Sequence, residues 1–486
     1  MTQPAESDSV QAPPSFQLIQ GGMAVGVSTW RLARAVAMAG EKLGRPVLGV
    51  VSGTGLSDVM IRRLQQGDPD TLRALTDYDP GLASELLEVY GSSEPGPRGG
   101  RHRFAPKPEV LVNGTKATKA HLTRLAVAAG FVEVSLAKSG HGGPIGINLL
   151  EKLQLMHLPI ILGAMLAGVD YVLVGAGIPN QIPGVLQSYA ALEPASYKLD
   201  VAGTNEKHLM TLDPRPFIAP GRELKKPRFF AIVSHHALAM RLASTIDVDG
   251  FIIEGPTAGG HNAPARGKDV DDAGQPVYGE RDEPDLARIR SLDKPFWLAG
   301  SYAGRLPEAR ALGAAGVQIG SAFALCDESG MDAGVKRELR RQIAAGTLQV
   351  TTSATASPTG FPFQIVQLAG TLSEAHVYQS RKRICNIGHV VEAYKKPGGS
   401  RPGVGFRCPG GPVGAYVRTG GHPETTASVV CLCNGLASAA GLGRVARNGR
   451  EPMIVTLGKN VDFYDQINTA PDGSYRAEDV VRSVYR

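Results

Sequence analysis

Short apolar runs, each followed by a glycine-bearing loop, recur through residues 16–332 and constrain the fold more than any other feature of the sequence. The series opens with FQLIQ at Phe16, a glycine-rich loop and a helical pattern from about Thr29 to Ala39. The later runs, read as strands or short helices, are FVEVSLAKSG, IGINLLEKL, LPIILGAMLAG, DYVLVGAGIP, FFAIVS, GFIIEGP, PFWLAG and GVQIGSAF. Strands that alternate with helices form a parallel sheet with the helices outside it. No run carries the GxGxxG signature of an open dinucleotide-binding sheet, so the pattern predicts a closed (β/α)8 TIM barrel.

Changes in composition divide the chain further. Residues 1–15 are polar and are expected to be a disordered tail, whereas residues 16–332 form the predicted barrel. Residues 56–106 hold two amphipathic stretches and a Pro/Gly/Arg run, which predicts an inserted helical pair and a linker. Residues 333–486 are rich in Gly and Pro and carry four of the five cysteines. We interpret them as a C-terminal extension.

Charge and hydropathy exclude several classes of protein. The 51 Lys+Arg and 45 Asp+Glu leave a net charge of +6, and the basic residues are scattered, so a nucleic acid is not an expected partner. The first fifteen residues fit neither a signal peptide nor a transit peptide, so we expect a cytoplasmic protein. The apolar stretch from Ile160 is interrupted by Asp170 and several glycines, which argues against a membrane span.

One histidine follows a predicted strand in the sequence EGPTAGGHNAP. Gly259 and Gly260 let the backbone approach a flat ligand closely, and the imidazole of His261 can then act as an acid or a base near neutral pH. The alternative is a turn with an incidental histidine. The position after a strand favours the functional interpretation, because TIM barrels place their chemistry there.

Glycine-rich loops supply candidate cofactor contacts. The runs PFWLAGSYAG and AAGVQIGSAF, one helix apart, present the backbone of Gly300, Ser301, Gly320 and Ser321, a pattern typical of a phosphate site late in a barrel. Ordinary tight turns are the alternative. The loop LIQGGMAVGVS could cradle a planar ring such as an isoalloxazine, together with the strand end that carries Asn148 and the GAGIP turn.

Taken in order, these motifs resemble one family. QGGM followed by VS, then GIN, VGAGIP, TAGGH, LAG and GVQIGSAF before Glu328–Ser329, resemble the nitronate monooxygenase (2-nitropropane dioxygenase-like) family. That family is related to the FMN-dependent enoyl-acyl carrier protein reductases. The resemblance covers residues 16–331 and implies an FMN-containing TIM barrel that oxidises alkyl nitronates with oxygen to a carbonyl compound and nitrite. The implied partners are a small-molecule substrate and oxygen, with no membrane, and a homo-oligomer is left open.

The resemblance also implies roles for single residues. His261 would abstract or hold the α-proton of the substrate and attract the anionic nitronate. The implied cofactor contacts are Gly22 and Met23 at the flavin ring, Asn148 at the strand end, Gly259 and Gly260 beside the histidine, and Gly300, Ser301, Gly320 and Ser321 at the phosphate. The sequence departs from the family at Pro256–Thr257, where an acid is usual, and this departure touches the substrate side.

Two alternatives compete with nitronate oxidation. The first is an NAD(P)H-dependent flavin reductase of enoyl thioesters. The second is a barrel that serves as a metal-binding scaffold rather than an enzyme, because Cys385, Cys408, Cys431 and Cys433, with His389 nearby, could hold Zn or an iron–sulfur cluster. The spacing of these cysteines is not diagnostic, and buried reduced thiols are the other interpretation. Cys326 is expected to be a small core residue.

Two further segments could reach the site. Lys138 and His141 follow an apolar run that could be a strand, and could therefore line the pocket. The charged segment from Lys268 to Asp285 directly follows the histidine loop, and it is predicted to be a mobile loop over the barrel mouth that could act as a lid.

Overall fold

Eight parallel strands close into a barrel in the computed structural model, which describes residues 14–91, 120–396, 403–443, 445–446, 449–450 and 452–486. The barrel strands are β1 (Leu18–Gln20), β2 (Val47–Ser52), β3 (Ile145–Leu150), β4 (Tyr171–Gly175), β5 (Arg228–Val233), β6 (Gly250–Glu254), β7 (Phe296–Ala299) and β8 (Gly316–Ile319). Each strand pairs in parallel with its neighbours, and β1 closes the barrel against β8 with Ile19 opposite Gln318. The predicted TIM barrel is confirmed.

The α-helices surround the barrel and continue beyond it. They are α1 (Trp30–Lys42), α2 (Leu56–Gln65), α3 (Pro69–Tyr78), α4 (Pro80–Tyr90), α5 (Ala120–Lys138), α6 (His157–Leu166), α7 (Ile182–Ala190), α8 (His236–Thr245), α9 (Leu286–Arg290), α10 (Leu306–Ala311), α11 (Ser321–Leu325), α12 (Ala333–Ala344), α13 (Ala375–Ser380), α14 (Val413–Arg418), α15 (Leu432–Ala439) and α16 (Ala477–Val484). The predicted insertion holds three helices, α2 to α4, rather than a pair, and residues 92–119 lie outside the described part of the chain.

Strand β2 was not predicted, and two of the runs predicted as strands or short helices are helices. FVEVSLAKSG belongs mostly to α5 and LPIILGAMLAG mostly to α6. These two helices pack so closely at Gly163 that an added Cβ would come within 2.0 Å of the Val127 carbonyl oxygen. Every residue of α6 is buried, so it shows no polar face from which a helical period could be recognised.

Aromatic rings fill the barrel interior near the starts of the strands. The ring of Trp297 stacks on those of Phe16 and Phe230, with centroids 5.2 and 4.9 Å apart. Tyr171, the first residue of β4, meets Phe16 edge to face at 5.2 Å. These rings fill the barrel interior at its amino-terminal end, although a cleft lined by Phe16, Asp170 and Arg228 opens at the surface there. TIM barrels place their chemistry at the carboxyl end.

Short strands outside the barrel are concentrated in the C-terminal part. The pairs are Ala195–Leu199 with His208–Leu212, Val350–Ser353 with Phe363–Val366, Val445–Ala446 with Gly449–Arg450, and a three-stranded sheet of Val201–Ala202, Glu392–Lys395 and Val404–Arg407. The last helix, α16, returns to α1, where Lys42 Nζ lies 2.9 Å from Glu478 Oε1. Within the described residues, every helix is too short or too polar to cross a bilayer.

Candidate functional site

A cavity of about 220 Å³ lies at the carboxyl ends of the barrel strands. This is far more than the ~15 Å³ that one water molecule needs. All the residues predicted for catalysis and cofactor binding line it, namely Gly22, Met23, Asn148, Gly259, Gly260, His261, Gly300, Ser301, Gly320 and Ser321. Parallel strands direct their following loops to one face, so motifs far apart in the sequence meet there.

The loop after β1 is fixed by hydrogen bonds from two buried side chains. Gln20 Oε1 accepts from the backbone N–H of Val50 at 2.9 Å, and Gln20 Nε2 donates to Ser28 Oγ at 3.0 Å. Ser28 Oγ in turn accepts from the N–H of Met23 at 2.9 Å and donates to the carbonyl of Gly21 at 3.0 Å. The protein therefore fixes the shape of this loop before any ligand binds.

A glycine wall and two amide side chains lie next to this loop. A Cβ at Gly22 would come within 2.2 Å of Asn148 Cβ, so only glycine fits there. Gln318 Oε1 lines the cavity, is buried and lacks a hydrogen-bond partner within the described residues. A planar ring with a polar edge, such as a flavin, fits this wall, because its N–H and C=O groups would satisfy such amides.

The loops after β7 and β8 lie side by side, as the phosphate-site prediction requires. Gly300 has φ +73° and Ser301 φ +26°, a left-handed turn that is strained at the serine. The Ser301 hydroxyl lies 2.7 Å from Thr257 Oγ1. The backbone carbonyl of Ser301 accepts a hydrogen bond from Arg305 Nη1 at 3.1 Å. The guanidinium of Arg305 therefore lies at this turn, where it also forms an ion pair with Glu308.

Residues 454–460, here called the crossing segment, bridge the loops after β6 and β8. Thr456 Oγ1 accepts from the N–H of Gly260 at 2.7 Å, and the N–H of Gly458 donates to Ser321 Oγ at 2.8 Å. The N–H of Lys459 donates to the carbonyl of Thr257 at 3.0 Å. Most of the segment lines the cavity. Sequence reasoning missed it, since no motif marks it and its partners are more than a hundred residues away.

His261 is held by hydroxyl groups from the C-terminal part. Its Nε2 lies 2.6 Å from Ser357 Oγ and 3.1 Å from Thr359 Oγ1, and its ring meets the edge of Phe363 at 5.0 Å. Burial lowers the pKa of His261 to about 4. The ring is therefore neutral at pH 7 and can give or accept a hydrogen bond without carrying a charge.

Glu254, the last residue of β6, was quoted in the histidine motif but given no role by sequence reasoning. Its side chain lines the same cavity as His261. Burial raises the pKa of Glu254 to about 8, so the carboxyl group is mostly protonated at neutral pH. Its position at a strand end was the signal that could have identified it.

The cysteines do not form the predicted metal centre. None of the described cysteines is in a disulfide, and no three His, Cys, Asp or Glu side chains of the described residues are arranged to hold a metal ion. Burial raises the pKa of Cys408 to about 12 and raises that of Cys433 well above its usual value, which keeps both thiols protonated. The proposed set of Cys385, Cys408, Cys431 and Cys433 thus finds no support as a Zn or iron–sulfur site. Cys326 is fully buried, as expected.

One other expectation differs from the structure, and a second stays a prediction. Lys138 ends helix α5 at the amino-terminal end of the barrel, where its Nζ pairs with Asp170 at 2.7 Å, and neither it nor His141 lines the cavity. The segment 268–285 contributes no residue to the cavity lining but contacts the crossing segment, where Lys459 Nζ donates to Gln275 Oε1 at 3.0 Å, and its role as a lid stays a prediction. Gln275 of that segment also contacts the C-terminal part, where its Oε1 accepts from the N–H of Thr352 at 2.9 Å.

No protein-family model and no curated protein matches this chain. Solved structures do resemble it. A nitroalkane oxidase from Streptomyces ansochromogenes is 15% identical with a TM-score of 0.43, over 97% of this chain and 94% of its own. A FabK variant from Thermotoga maritima is 18% identical with a TM-score of 0.38, over 75% and 81% of the two chains. The enoyl reductase domain of MlnA from Bacillus amyloliquefaciens is 13% identical with a TM-score of 0.35, over 74% and 66%.

All three TM-scores lie below 0.5. At 18% identity or less, the reaction and the substrate have to be argued from the site itself.

Proposed function

We propose that this protein is an FMN-dependent oxidoreductase that oxidises alkyl nitronates, or related carbon acids, with oxygen to a carbonyl compound and nitrite. The observation that carries the proposal is the convergence of His261 and Glu254 with the glycine wall at Gly22 in one cavity at the strand ends. Such a cavity with few polar groups and perturbed pKa values is the usual form of an active site.

The residues present fit an FMN molecule. Gly22 and Met23 would lie along the ring, and the amides of Asn148 and Gln318 would meet its polar edge. The turns at 300–301 and 320–321 would hold the phosphate through backbone N–H groups. Bound there, FMN supplies a two-electron acceptor that oxygen can reoxidise.

The substrate side of the cavity suits an anion held by neutral donors. His261 is uncharged at pH 7, so it would contact a nitronate oxygen through a hydrogen bond and would be a weak base toward a carbon acid. Ser357 and Thr359 fix the ring for this contact. Glu254 is mostly protonated at the same pH, so its O–H is a donor in addition to the N–H of His261, and it does not repel the anion.

A second candidate, reduction of enoyl thioesters with NAD(P)H, is favoured by a different observation. One side of the cavity is apolar and lies between the loop after β1 and the C-terminal part. It is lined by Val25, Phe363, Leu432, Leu436 and Ile454. Such a wall would accommodate an acyl chain as well as the chain of a long nitroalkane.

An absorbance spectrum of the purified protein, recorded anaerobically, tests these proposals. We expect flavin bands that bleach when a preformed nitronate is added and return when oxygen is admitted. Bleaching by NADPH alone, followed by reoxidation with an enoyl thioester, would instead establish the reductase. Absence of flavin bands after reconstitution with FMN would reject both activities.

A further inference from the structure

A buried imidazole and a buried carboxylate form a pair in the wall of the cavity, apart from the groups assigned above. His389 Nε2 lies 2.5 Å from Asp58 Oδ2, and their side chains are only 4% and 9% exposed. Asp58 belongs to the first turn of α2, and His389 comes from the C-terminal part. The pair therefore joins the helical insertion to the extension at a point where His389 reaches the cavity.

The groups around His389 are otherwise apolar or uncharged on the cavity side. Val25, Val390, Leu436 and the protonated thiol of Cys433 line the wall beside it. On the other side, a Cβ at Gly55 would come 3.4 Å from His389 Nε2, so this edge of the ring lies against the start of α2. Arg62, which is also buried, lies with Asp58 and His389 around a smaller adjoining cavity, so the apolar surroundings of His389 are limited to the side that faces the main cavity.

The geometry fixes what the ring can offer to a ligand. An ionised carboxylate can only accept, so Nε2 carries the proton that Asp58 receives as a hydrogen bond. Nδ1 of His389 then holds a lone pair, and it makes no hydrogen bond within the described residues. Nδ1 is not fully enclosed and His389 lines the cavity, so a ligand that displaces water from this nitrogen has to offer a hydrogen bond in exchange.

We propose that His389, positioned by Asp58, binds a hydroxyl group carried on the apolar chain of the substrate. This inference rests on the proposed function and names its substrate class, a hydroxylated alkyl nitronate rather than a simple one. A hydroxyl group fits because it donates to neutral Nδ1 and accepts from protonated Nδ1.

The test compares substrates whose alkyl chains differ by one hydroxyl group. Nitronates of 1-nitrohexane and of nitrohexanols with the hydroxyl at successive carbons are oxidised by the full FMN-loaded chain, and KM and kcat are measured separately. For at least one hydroxyl position we expect kcat/KM to be about tenfold higher than for nitrohexane, because KM is lower while kcat is unchanged. If no hydroxylated nitronate has a higher kcat/KM than the nitronate of 1-nitrohexane, the proposal is overturned.

Variants assign the preference to the pair. Asp58→Leu/His389→Phe replaces both partners and leaves no buried charge unpaired, so the ratio of hydroxylated to plain substrate should fall to about one. His389→Gln keeps a donor for Asp58 and an acceptor, and it should retain part of the ratio. An unchanged ratio in the double variant would overturn the proposal even if both substrates react well.

A binding measurement separates this inference from the proposed function. If the wild-type protein oxidises no nitronate, the proposed function fails, and calorimetry with 1-hexanol and 1-fluorohexane still tests the hydroxyl site. Tighter binding of the alcohol to the wild type, lost in the double variant, supports the site. Equal binding of the two probes rejects it.

Discussion

The imidazole of His261 lies 2.6 Å from the hydroxyl of Ser357, a residue that is 96 positions further along the chain. The two are brought together because the strand Phe363–Val366 and the turn before it pack on the loop after β6, where His261 itself forms a bridge with Phe363. The orientation of the principal polar group of the cavity is therefore set from outside the barrel.

Replacing Ser357 with alanine should loosen His261 and slow the reaction. The lost hydrogen bond has a net contribution of about 1 kcal/mol, which corresponds to a decrease in kcat/KM for a nitronate of about fivefold. His261→Asn, which removes the ring, should decrease it far more while FMN stays bound. Thr355→Ala at an exposed neighbouring position is the matched control. Equal kcat/KM values for Ser357→Ala and the wild type would show that Ser357 does not orient the ring.

The pKa of Glu254 predicts a loss of activity in alkali. As the pH rises through about 8 the carboxyl group ionises, and the resulting anion repels a nitronate in the same cavity. We expect kcat/KM to fall between pH 7 and 9 in the wild type and to stay level in Glu254→Gln. Glu193→Gln, an exposed carboxyl group elsewhere, should behave as the wild type does.

The same group should affect the free energy of unfolding. The folded state keeps the Glu254 proton between the unfolded pKa of about 4.5 and the folded value of about 8, so the unfolded state binds fewer protons in this window. Stability therefore decreases as the pH rises across the window, and less so in Glu254→Gln. Urea denaturation midpoints at pH 5 and pH 8.5 check the sign, and parallel changes in both proteins would contradict it.

Gly22→Ala should reduce both stability and flavin binding. The added methyl group would come within 2.2 Å of Asn148 Cβ, so the loop after β1 or β3 has to move. The bound FMN per chain after reconstitution and the thermal unfolding midpoint should both decrease. Gly184→Ala, where a Cβ meets nothing within 4 Å, controls for the loss of a glycine. An unchanged FMN content in Gly22→Ala would exclude the proposed ring contact.

Thr456→Val should loosen the loop after β6 that carries His261, although the substitution lies outside that loop. The substitution keeps the shape of the side chain but removes the acceptor for the N–H of Gly260. We expect faster hydrogen exchange at that amide and a stability loss of about 1 kcal/mol, the net contribution of a typical hydrogen bond, because the bond is only partly buried. Thr425→Val on the surface should change neither quantity. Unaltered exchange at Gly260 would show that the crossing segment does not hold this loop.

The barrel was predictable because parallel β/α units leave a local signature, an apolar run followed by a glycine-bearing loop. The signature failed where burial is uniform. Helices α5 and α6 pack through Gly163 with no polar face on α6, so the sequence left their apolar runs open between strand and helix. Strand β2 is buried at every residue and was overlooked. Its only mark was a continuous apolar run without alternation.

The cavity was predictable to the extent that its residues lie at strand ends. His261 and the loops at Gly22, Gly300 and Gly320 all carry motifs within short windows, and all line the cavity. Ser357 and the crossing segment carry no such motif, because they act through hydrogen bonds to residues that only the folded chain brings near. The cysteine cluster shows the converse, since residues of suitable type stood close in sequence without adopting a metal-binding arrangement.

The crossing segment has a consequence for the order of events during synthesis. The cavity wall includes Phe463, near the end of the 486-residue chain, and residues as early as Gly21. A ribosome that has made every barrel strand has therefore produced a cup with one side missing. Any ligand retained by the finished wall has to be captured after residue 463 has been translated, and a chain that stops before residue 454 would leave that ligand exposed to solvent.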